Sequence, residues 1–202
     1  MKIEALLFDL GKVLINFNFE TGVRALHASC PISRDQFKAV LWDKIWVRRY
    51  ERGEISTKDL HDHLCEAAGL TLTLPEFCAT WSSVFLPDLL VSEELLASLK
   101  RRYPLVLVSN TNEAHAEYIR EKYRVFDYFD HLVLSYKVGS LKPDTKIFEH
   151  AIATANLPPE SLFFTDDREE NIVAARSLGI HAHQFVSEAK LIEALQQAGV
   201  EL

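Results

Sequence analysis

The chain has 202 residues, of which 48% are hydrophobic and 25% are charged, a balance typical of a globular protein with a buried core. Its formal net charge of −7 argues against a nucleic-acid-binding protein, because such proteins usually carry a basic face. No run approaches the ~18 apolar residues of a membrane span, and the hydrophobic start of the chain lacks the pattern of a signal peptide. We therefore expect a cytoplasmic protein whose three cysteines are free thiols.

The predicted elements alternate between short apolar runs and helical patterns. Runs at residues 5–8, 105–108, 132–134, 162–164 and 181–185 predict strands that are buried on both faces, as in parallel sheets. Helical patterns separate and follow them, at residues 93–102, 113–123, 145–155, 170–178 and 188–198. This alternation predicts an α/β fold with a doubly wound parallel sheet.

The block from residue 18 to residue 85 interrupts this alternation and predicts a small helical insertion without strands. Ser33 and Gln36 have the spacing of a capping box at the start of a helix. Ser56 has the character of an N-cap, with Asp59 as an acidic residue in the first turn. Hydrophobic residues then recur at helical spacing, at Leu60, Leu64, Ala67 and Ala68.

Polar and charged residues follow several of the predicted strands. Asp9 comes directly after the first strand, Ser109 after the second, and Asp166 and Asp167 after the fourth, while Lys142 lies in the loop after the third. Ligands of open α/β sheets bind beyond the carboxyl ends of the strands, where the strand order reverses. We therefore expect these side chains to lie on one rim of the sheet.

This rim suits phosphoryl transfer, in which catalysis depends mainly on placement and on stabilisation of spread negative charge. Mg²⁺ binds oxygen ligands, and Asp9 and Asp167 can supply them, with Asp166 as a second ligand or a holder of water. Asp9 can also attack phosphorus and form an aspartyl-phosphate that water hydrolyses. The candidate phosphate-binding residues are Ser109, Asn110 and Lys142.

Four segments of the chain resemble, in the same order, the motifs of the haloacid dehalogenase-like (HAD) phosphohydrolase superfamily. They are Phe-Asp-Leu-Gly-Lys-Val at 8–13, Val-Ser-Asn-Thr-Asn at 108–112, Gly-Ser-Leu-Lys-Pro at 139–143, and Phe-Thr-Asp-Asp at 164–167 with Asn171. The resemblance implies a three-layer Rossmann-like core, a small all-helical C1 cap, Mg²⁺ as cofactor and Asp9 as nucleophile. We divide the chain accordingly into a core domain of residues 1–15 and 90–202 and a cap domain of residues 16–89.

A finer resemblance points to a substrate class. The Asp-Leu-Gly-Lys-Val segment, the Glu-Arg-Gly-Glu-Ile-Ser turn at 51–56 and the Ser-Asn-Thr-Asn segment are most similar to the bacterial glucose-1-phosphate phosphatase branch. This similarity implies a small phosphorylated metabolite, such as a sugar phosphate, as substrate. Arg52, Gly53 and Glu54 in the predicted cap turn are candidates for substrate selection. For the oligomeric state we expect a monomer or a homodimer.

Gly11 departs from the family pattern. Most phosphatases of the superfamily carry a second Asp there, which gives its carbonyl oxygen to the metal and a carboxyl proton to the leaving group. Gly11 keeps the carbonyl oxygen as a metal ligand but has no proton donor, and general acid catalysis is typically worth ~10²–10⁴-fold. We therefore expect a slow enzyme, or one that favours good leaving groups such as anomeric, acyl or aryl phosphates, unless a cap residue or water supplies the proton.

The four motifs, with glycine at position 11, are also compatible with two other functions. A haloacid dehalogenase also lacks the second Asp and needs no metal, but the adjacent Asp166 and Asp167 would repel the nucleophile unless a cation lay between them. A catalytically weak HAD-fold binding protein is the other alternative, because fold does not determine function. A phosphomutase is disfavoured because its chemistry requires an acid or base where Gly11 stands.

Several other residues have patterns that suggest sites but are interpreted as structural. His61 with His63 and His181 with His183 have metal-like spacing, yet we expect structural or solvated side chains. Aromatic residues of the insertion recur at helical spacing and predict core packing rather than substrate contact. These residues are Trp42, Trp46, Trp81 and Phe85.

Overall fold

The computed structural model describes residues 2–202, and within them every side chain except that of Lys44. The strands are β1 (Ala5–Phe8), β2 (Ile15–Phe17), β3 (Phe85–Leu89), β4 (Leu105–Ser109), β5 (His131–Leu134), β6 (Leu162–Asp166) and β7 (His181–Gln184). The helices of the insertion are α1 (Phe19–His27), α2 (Arg34–Leu41), α3 (Lys44–Glu51), α4 (Thr57–Ala68) and α5 (Leu74–Ser82). Those that follow are α6 (Glu93–Lys100), α7 (Glu113–Lys122), α8 (Ser135–Val138), α9 (Thr145–Ala155), α10 (Glu169–Ser177) and α11 (Glu188–Gln197).

A five-stranded sheet with the order β5-β4-β1-β6-β7 forms the centre of the fold. Its neighbouring strands are all parallel, and β1 pairs with β4 on one side and with β6 on the other. The strand order therefore reverses around β1, which places the crevice of an open α/β sheet at the carboxyl end of this strand. The predicted α/β class and the parallel sheet are confirmed.

Side-chain alternation along β1 explains why this strand is central. Leu6 and Phe8 belong to one hydrophobic cluster, whereas Ala5 and Leu7 belong to another on the opposite face. Successive residues of a strand point to opposite faces, so a strand covered by helices on both sides must be apolar at every position. The uninterrupted burial of β1, β4 and β6 has this origin.

The insertion has a hydrophobic cluster of its own, distinct from those of the sheet, which includes Phe37, Tyr50 and Phe77. Both predicted N-termini are confirmed, because Ser33 with Gln36 and Ser56 with Asp59 form capping boxes at the starts of α2 and α4. Within residues 2–202, no helix combines the length and the hydrophobicity that crossing a bilayer requires.

The prediction of an insertion without strands is wrong at its margins. Strands β2 and β3 form a small antiparallel sheet in which Phe17 is paired with Phe85. β2 has only 3 residues, too few for an alternating pattern to be recognised, and its partner lies far along the chain. The side chains of Phe17 and Phe85 point towards the carboxyl end of β1, so this sheet contributes directly to the crevice.

Candidate active site

Asp9 lies directly after β1, at the carboxyl end of the central strand. Its backbone N–H donates to the Thr165 carbonyl oxygen of β6 at 2.9 Å, which ties the residue to the neighbouring strand. The Asp9 side chain is buried, and its Oδ1 atom lies 2.6 Å from the Nζ atom of Lys142. Among the described side chains of residues 2–202, only Lys142 donates a hydrogen bond to the Asp9 carboxylate.

Lys142 is fully enclosed between two carboxylates. Its Nζ atom donates to Asp9 Oδ1 and to Asp166 Oδ2, each at 2.6 Å. Burial by itself would lower the pKa of Lys142, but the nearby Asp166 and Asp9 carboxylates outweigh burial and raise it. The two carboxylates therefore favour the charged ammonium form of Lys142, which is placed where it can stabilise negative charge next to Asp9.

Asn110 holds the loop that carries Lys142. The Asn110 Nδ2 atom donates to the Lys142 carbonyl oxygen at 2.9 Å, and the Lys142 N–H donates to Asn110 Oδ1 at 2.7 Å. The Asn110 side-chain amide thus bonds both backbone polar groups of Lys142, as a neighbouring strand would. A carboxamide has two N–H donors and one carbonyl, so only one N–H remains for the phosphate contact expected from the sequence. No sequence pattern predicted the two hydrogen bonds between the Asn110 side chain and the Lys142 backbone.

Asp166 is completely buried, and its oxygens are already engaged. Asp166 Oδ1 accepts from the Arg168 N–H at 2.9 Å, and Asn171 Nδ2 lies 2.9 Å from both carboxylate oxygens. Asp167, by contrast, is only partly buried and lines the cavity in front of Asp9. The two adjacent acids therefore differ in surroundings, with Asp166 anchoring Lys142 and Asp167 facing the cavity.

The geometry fits a divalent cation. One oxygen each of Asp9, Asp166 and Asp167 lie within 4.8 Å of one another, and this is the only such group of potential metal-ligating side chains in residues 2–202. Three carboxyl groups face one ammonium group, so with all of them ionised the cluster carries two uncompensated negative charges. The buried Asn171 Oδ1 atom also has no hydrogen-bond partner among the described residues, as expected of an acceptor for a metal-bound water.

Burial, with a smaller contribution from neighbouring negative charge, perturbs the carboxyl groups. Burial raises the pKa of Asp9 to about 7, with Lys142 opposing this rise and Asp166 adding to it. Burial and the Asp166 charge also raise the pKa of Asp167. Proximity of a cation would favour the ionised forms of these groups.

Two adjoining cavities open in front of Asp9. The catalytic cavity, about 190 Å³ in volume, is lined by Asp9, Gly11, Lys12, Phe17, Phe19, Glu51, Asn110, Lys142, Asp167, Arg168 and Asn171. The aromatic cavity, about 90 Å³ in volume, is lined mainly by Leu10, Phe17, Phe19, Trp42, Trp81 and Phe85, with Ser109 and Asn110 at its polar side. Five residues line both cavities and form the boundary at which a substrate would cross from one to the other: Gly11, Phe17, Phe19, Glu51 and Asn110.

Ser109 is buried on the rim at the end of β4. Its hydroxyl has only a 3.5 Å contact with the Asn110 carbonyl oxygen, so it is free to bind a ligand. It lines the aromatic cavity rather than the catalytic cavity.

Arg52, Gly53 and Glu54 do not line either cavity, unlike the substrate-selecting residues expected from the sequence. Arg52 Nη2 pairs with Asp144 Oδ2 at 3.1 Å, across the contact between α3 and the loop before α9. Gly53 has φ +67°, and a Cβ atom there would lie 2.0 Å from the Tyr136 carbonyl oxygen. This turn is a packing contact with the core, and the residue that it directs into the cavities is the preceding one, Glu51.

Among the aromatic residues, core packing is the wrong interpretation for Trp42 and the right one for Trp81. Trp42 is 38% exposed, and its ring packs edge-on against Phe19 at the mouth of the aromatic cavity. Trp81 is 5% exposed and contributes to the insertion cluster while also lining the cavity. Trp46 stacks on His63 with ring centroids 3.9 Å apart.

The pair His61 and His63 has structural surroundings, as expected. His61 Nε2 lies 2.8 Å from the Leu72 carbonyl oxygen. A histidine that the sequence did not single out, His115, is buried beside Trp81 and lines the aromatic cavity. Burial lowers the pKa of His115 to about 4, so its ring is neutral at physiological pH.

Known proteins similar to this chain are hydrolases, and several of them are phosphatases. A family model for haloacid dehalogenase-like hydrolases matches residues 3–179. D-ribitol-5-phosphate phosphatase of Bacteroides thetaiotaomicron is 27% identical over 188 residues, covering 90% of this chain and 91% of the relative. Sesquiterpene phosphatase astK of Aspergillus oryzae is 27% identical over 201 residues, covering 97% of each chain.

A solved structure is similar in fold and in size. It is a HAD family enzyme from Bacteroides thetaiotaomicron, bt-2542, in complex with magnesium and inorganic phosphate. It has a TM-score of 0.79 and 29% sequence identity, and the match covers 92% of this chain and 95% of that one. The L-2-haloacid dehalogenase PA0810 shares the fold with a TM-score of 0.59 at 21% identity. By its match to the family model over most of its length, the chain belongs to the haloacid dehalogenase-like hydrolases.

Proposed function

We propose that this protein is a Mg²⁺-dependent phosphatase that hydrolyses a small phosphorylated metabolite through an aspartyl-phosphate on Asp9. The observation that carries the proposal is the cluster at the end of β1, where Asp9, Asp166 and Asp167 offer oxygens within 4.8 Å of one another and Lys142 lies 2.6 Å from Asp9. The magnesium and phosphate in the structure of bt-2542 support the same chemistry.

In this proposal Asp9, Asp167 and the Gly11 carbonyl oxygen hold the cation, with Asp166 as a further ligand. The cation supplies positive charge that a transferring phosphoryl group needs on its oxygens. Lys142 binds a phosphoryl oxygen and favours the ionised form of Asp9, and Ser109 and the remaining Asn110 N–H complete the phosphate site. Residues 1–15 and 90–202 form the core domain and residues 16–89 the cap.

The reaction then has two steps. An Asp9 carboxylate oxygen forms a bond to phosphorus while the bond from phosphorus to the ester oxygen breaks, and the ester oxygen leaves as an alkoxide that must take up a proton to become the alcohol. Water next attacks phosphorus, the bond to Asp9 breaks, and free phosphate and the Asp9 carboxylate result. Exclusion of bulk water by the cap would protect the acyl-phosphate during the first step.

For the substrate we propose a sugar phosphate, on the basis of the similarity to the glucose-1-phosphate phosphatase branch. The ribitol phosphate named for the Bacteroides thetaiotaomicron relative supports a small polyhydroxylated substrate. A catalytic cavity of about 190 Å³ lined by charged and amide groups suits such a compound.

The aromatic cavity favours a second candidate, the phosphate ester of an apolar alcohol. Trp42, Phe19 and Phe85 offer ring surfaces that would gain from burying hydrocarbon. The sesquiterpene phosphatase among the relatives supports this option, because its name denotes a phosphorylated hydrocarbon.

The test is a panel of phosphate esters assayed with and without Mg²⁺, with the Asp9→Asn variant as control. Turnover that requires both Mg²⁺ and Asp9 is expected, and rates on sugar phosphates against isoprenoid phosphates decide between the two substrate classes. Chloride release from 2-haloacids in the presence of a metal chelator would instead indicate a dehalogenase. Ligand binding without any turnover would indicate a binding protein.

A further inference from the structure

The catalytic cavity contains one carboxyl group that the two proposed steps do not use. This group belongs to Glu51, the last residue of α3, which lines the catalytic and the aromatic cavity together with Gly11. The first step leaves a negative charge on the ester oxygen, and an alkoxide is a poor leaving group unless a proton reaches it. A spare acid in this cavity is therefore a candidate proton donor.

The position of Glu51 is fixed by its backbone. The Glu51 carbonyl oxygen accepts from Ser135 Oγ at 2.7 Å, and the Thr111 N–H donates to the same Ser135 Oγ at 2.9 Å. Ser135 thus links the end of α3 to the rim segment that follows β4. Close packing of Gly53 on Tyr136 holds the turn from the other side, so the insertion presents Glu51 to the cavity in a defined place.

The surroundings of Glu51 keep a proton available. Burial raises the pKa of Glu51 to about 6, although the positive charges of Arg168 and Arg48 oppose this rise. Brønsted behaviour makes a general acid most effective when its pKa lies near the working pH. An ordinary exposed glutamate, with a pKa of about 4.3, would hold a proton far less often at neutral pH.

Four other titratable groups in or beside the two cavities already have partners or proposed roles. Asp166 is held by Lys142 and Asn171, and Asp167 belongs to the proposed cation site. His115 is neutral, with its Nδ1 atom 3.2 Å from Asn112 Nδ2 and its Nε2 atom 3.2 Å from the Trp81 carbonyl oxygen. Lys12 donates to Asn16 Oδ1 and to the Phe17 carbonyl oxygen, each at 2.7 Å.

We propose that Glu51 is a catalytic residue that donates a proton to the leaving-group oxygen and then accepts one from the attacking water. This inference rests on the proposed phosphatase function. In the first step the bond from phosphorus to the ester oxygen breaks, and the Glu51 proton bonds to that oxygen to give a neutral alcohol. In the second step the Glu51 carboxylate takes a proton from water as its oxygen bonds to phosphorus, which restores both Glu51 and Asp9.

The test compares Glu51→Gln with the wild type on an alkyl phosphate and on 4-nitrophenyl phosphate, whose leaving group needs no proton. We expect kcat/KM for the alkyl ester to fall by about 10²–10⁴-fold, and kcat/KM for the aryl ester to change little. With the aryl ester, Glu51→Gln should also release a burst of nitrophenol followed by a slow steady state, because water attack on the aspartyl-phosphate has lost its base.

Two further variants make the result interpretable. Glu66→Gln changes an exposed carboxyl on α4 of the same insertion and should leave both rates unchanged. Glu51→Asp retains a carboxyl and should recover part of the alkyl ester activity, whereas a purely structural role predicts no preference between Asp and Gln. Thermal unfolding of each variant verifies that the chain is folded.

An equal loss of kcat/KM on both esters, or no loss on either, would overturn the role of Glu51. Failure of the phosphatase proposal looks different: the wild type would then turn over neither ester, or the Asp9→Asn variant would remain as active as the wild type. The aryl ester rate of the wild type thus tests the reaction itself, and the difference between the two esters tests the proton donor.

Discussion

The ring of Phe17 occupies the space into which a side chain at position 11 would extend. A Cβ atom built on Gly11 would lie 2.7 Å from Phe17 Cε1, well inside ordinary van der Waals contact. Phe17 is held in this place by Phe19, at 4.6 Å between ring centroids, and by its strand partner Phe85. The Phe17 ring therefore fills the space that the side chain of an acid at position 11 would need.

Gly11→Ala should lower the free energy of unfolding by about 1–3 kcal/mol, the usual cost of overpacking. Phe17→Ala should remove most of this cost, so a double-mutant cycle measured by urea unfolding is expected to show a clear coupling. Gly139→Ala serves as a control, because no atom lies within 4 Å of a Cβ there and its cost comes from φ +72° alone. Additive effects of Gly11→Ala and Phe17→Ala would contradict the steric explanation.

Asn110→Ala should reduce kcat/KM by about 100-fold, because small displacements of a catalytic group carry costs of this order. The physical reason is the loss of both hydrogen bonds that hold the backbone of Lys142. A Lys142→Ala variant and the double variant complete the cycle in a steady-state assay. If Asn110 acts through Lys142, the double variant is no slower than Lys142→Ala. A further large loss in the double variant would indicate that Asn110 binds phosphate directly.

The stability of the metal-free protein should carry a pH-dependent contribution from Asp9. Its pKa is raised by burial from 3.8 to about 7, so the native state keeps a proton that the unfolded chain loses above pH 4. By linkage, the stability of the wild type relative to Asp9→Asn falls as the pH rises from about 4 to about 7. Urea unfolding of both proteins in a chelator at several pH values measures this difference.

Addition of Mg²⁺ should reverse that trend, because the ion binds the ionised carboxylates. At 100 times the dissociation constant, a ligand that binds only the native state adds about 2.7 kcal/mol. We expect Mg²⁺ to raise the melting temperature of the wild type more at pH 8 than at pH 5, and to have little effect on Asp9→Asn. Equal shifts in the two proteins would place the ion somewhere other than beside Asp9.

His115 should make the protein sensitive to acid. Burial lowers the pKa of this imidazole from 6.5 to about 4, so below pH 6.5 the unfolded chain binds a proton that the native state does not. The contribution of His115 to the free energy of unfolding is fully present above pH 6.5 and decreases as the pH falls to about 4. His115→Gln should lose this slope, whereas the change of an exposed histidine, His150→Gln, should retain it. The free energy of unfolding between pH 4 and pH 7 provides the measurement.

Much of the core was predictable because local pattern and burial coincide there. The apolar runs that end before Asp9, Ser109 and Asp166 correspond to β1, β4 and β6, since a strand between two helical layers must be hydrophobic throughout. Capping boxes at Ser33 and Ser56 were predictable because their hydrogen bonds span only three residues. The short strand β2 was not, because its partner β3 is separated from it by the entire helical insertion.

The sequence by itself determined which residues follow the strands, and therefore that Asp9, Lys142, Asp166 and Asp167 share one rim of a parallel sheet. Only the tertiary structure decided that the Asn110 amide binds the backbone of Lys142, that the Arg52–Glu54 turn packs on the core, and that Glu51 enters the cavity. The reason is physical: the positions of the strands follow from the hydrophobic pattern along the chain, whereas the direction of a side chain at a domain contact depends on packing between segments that are distant in sequence.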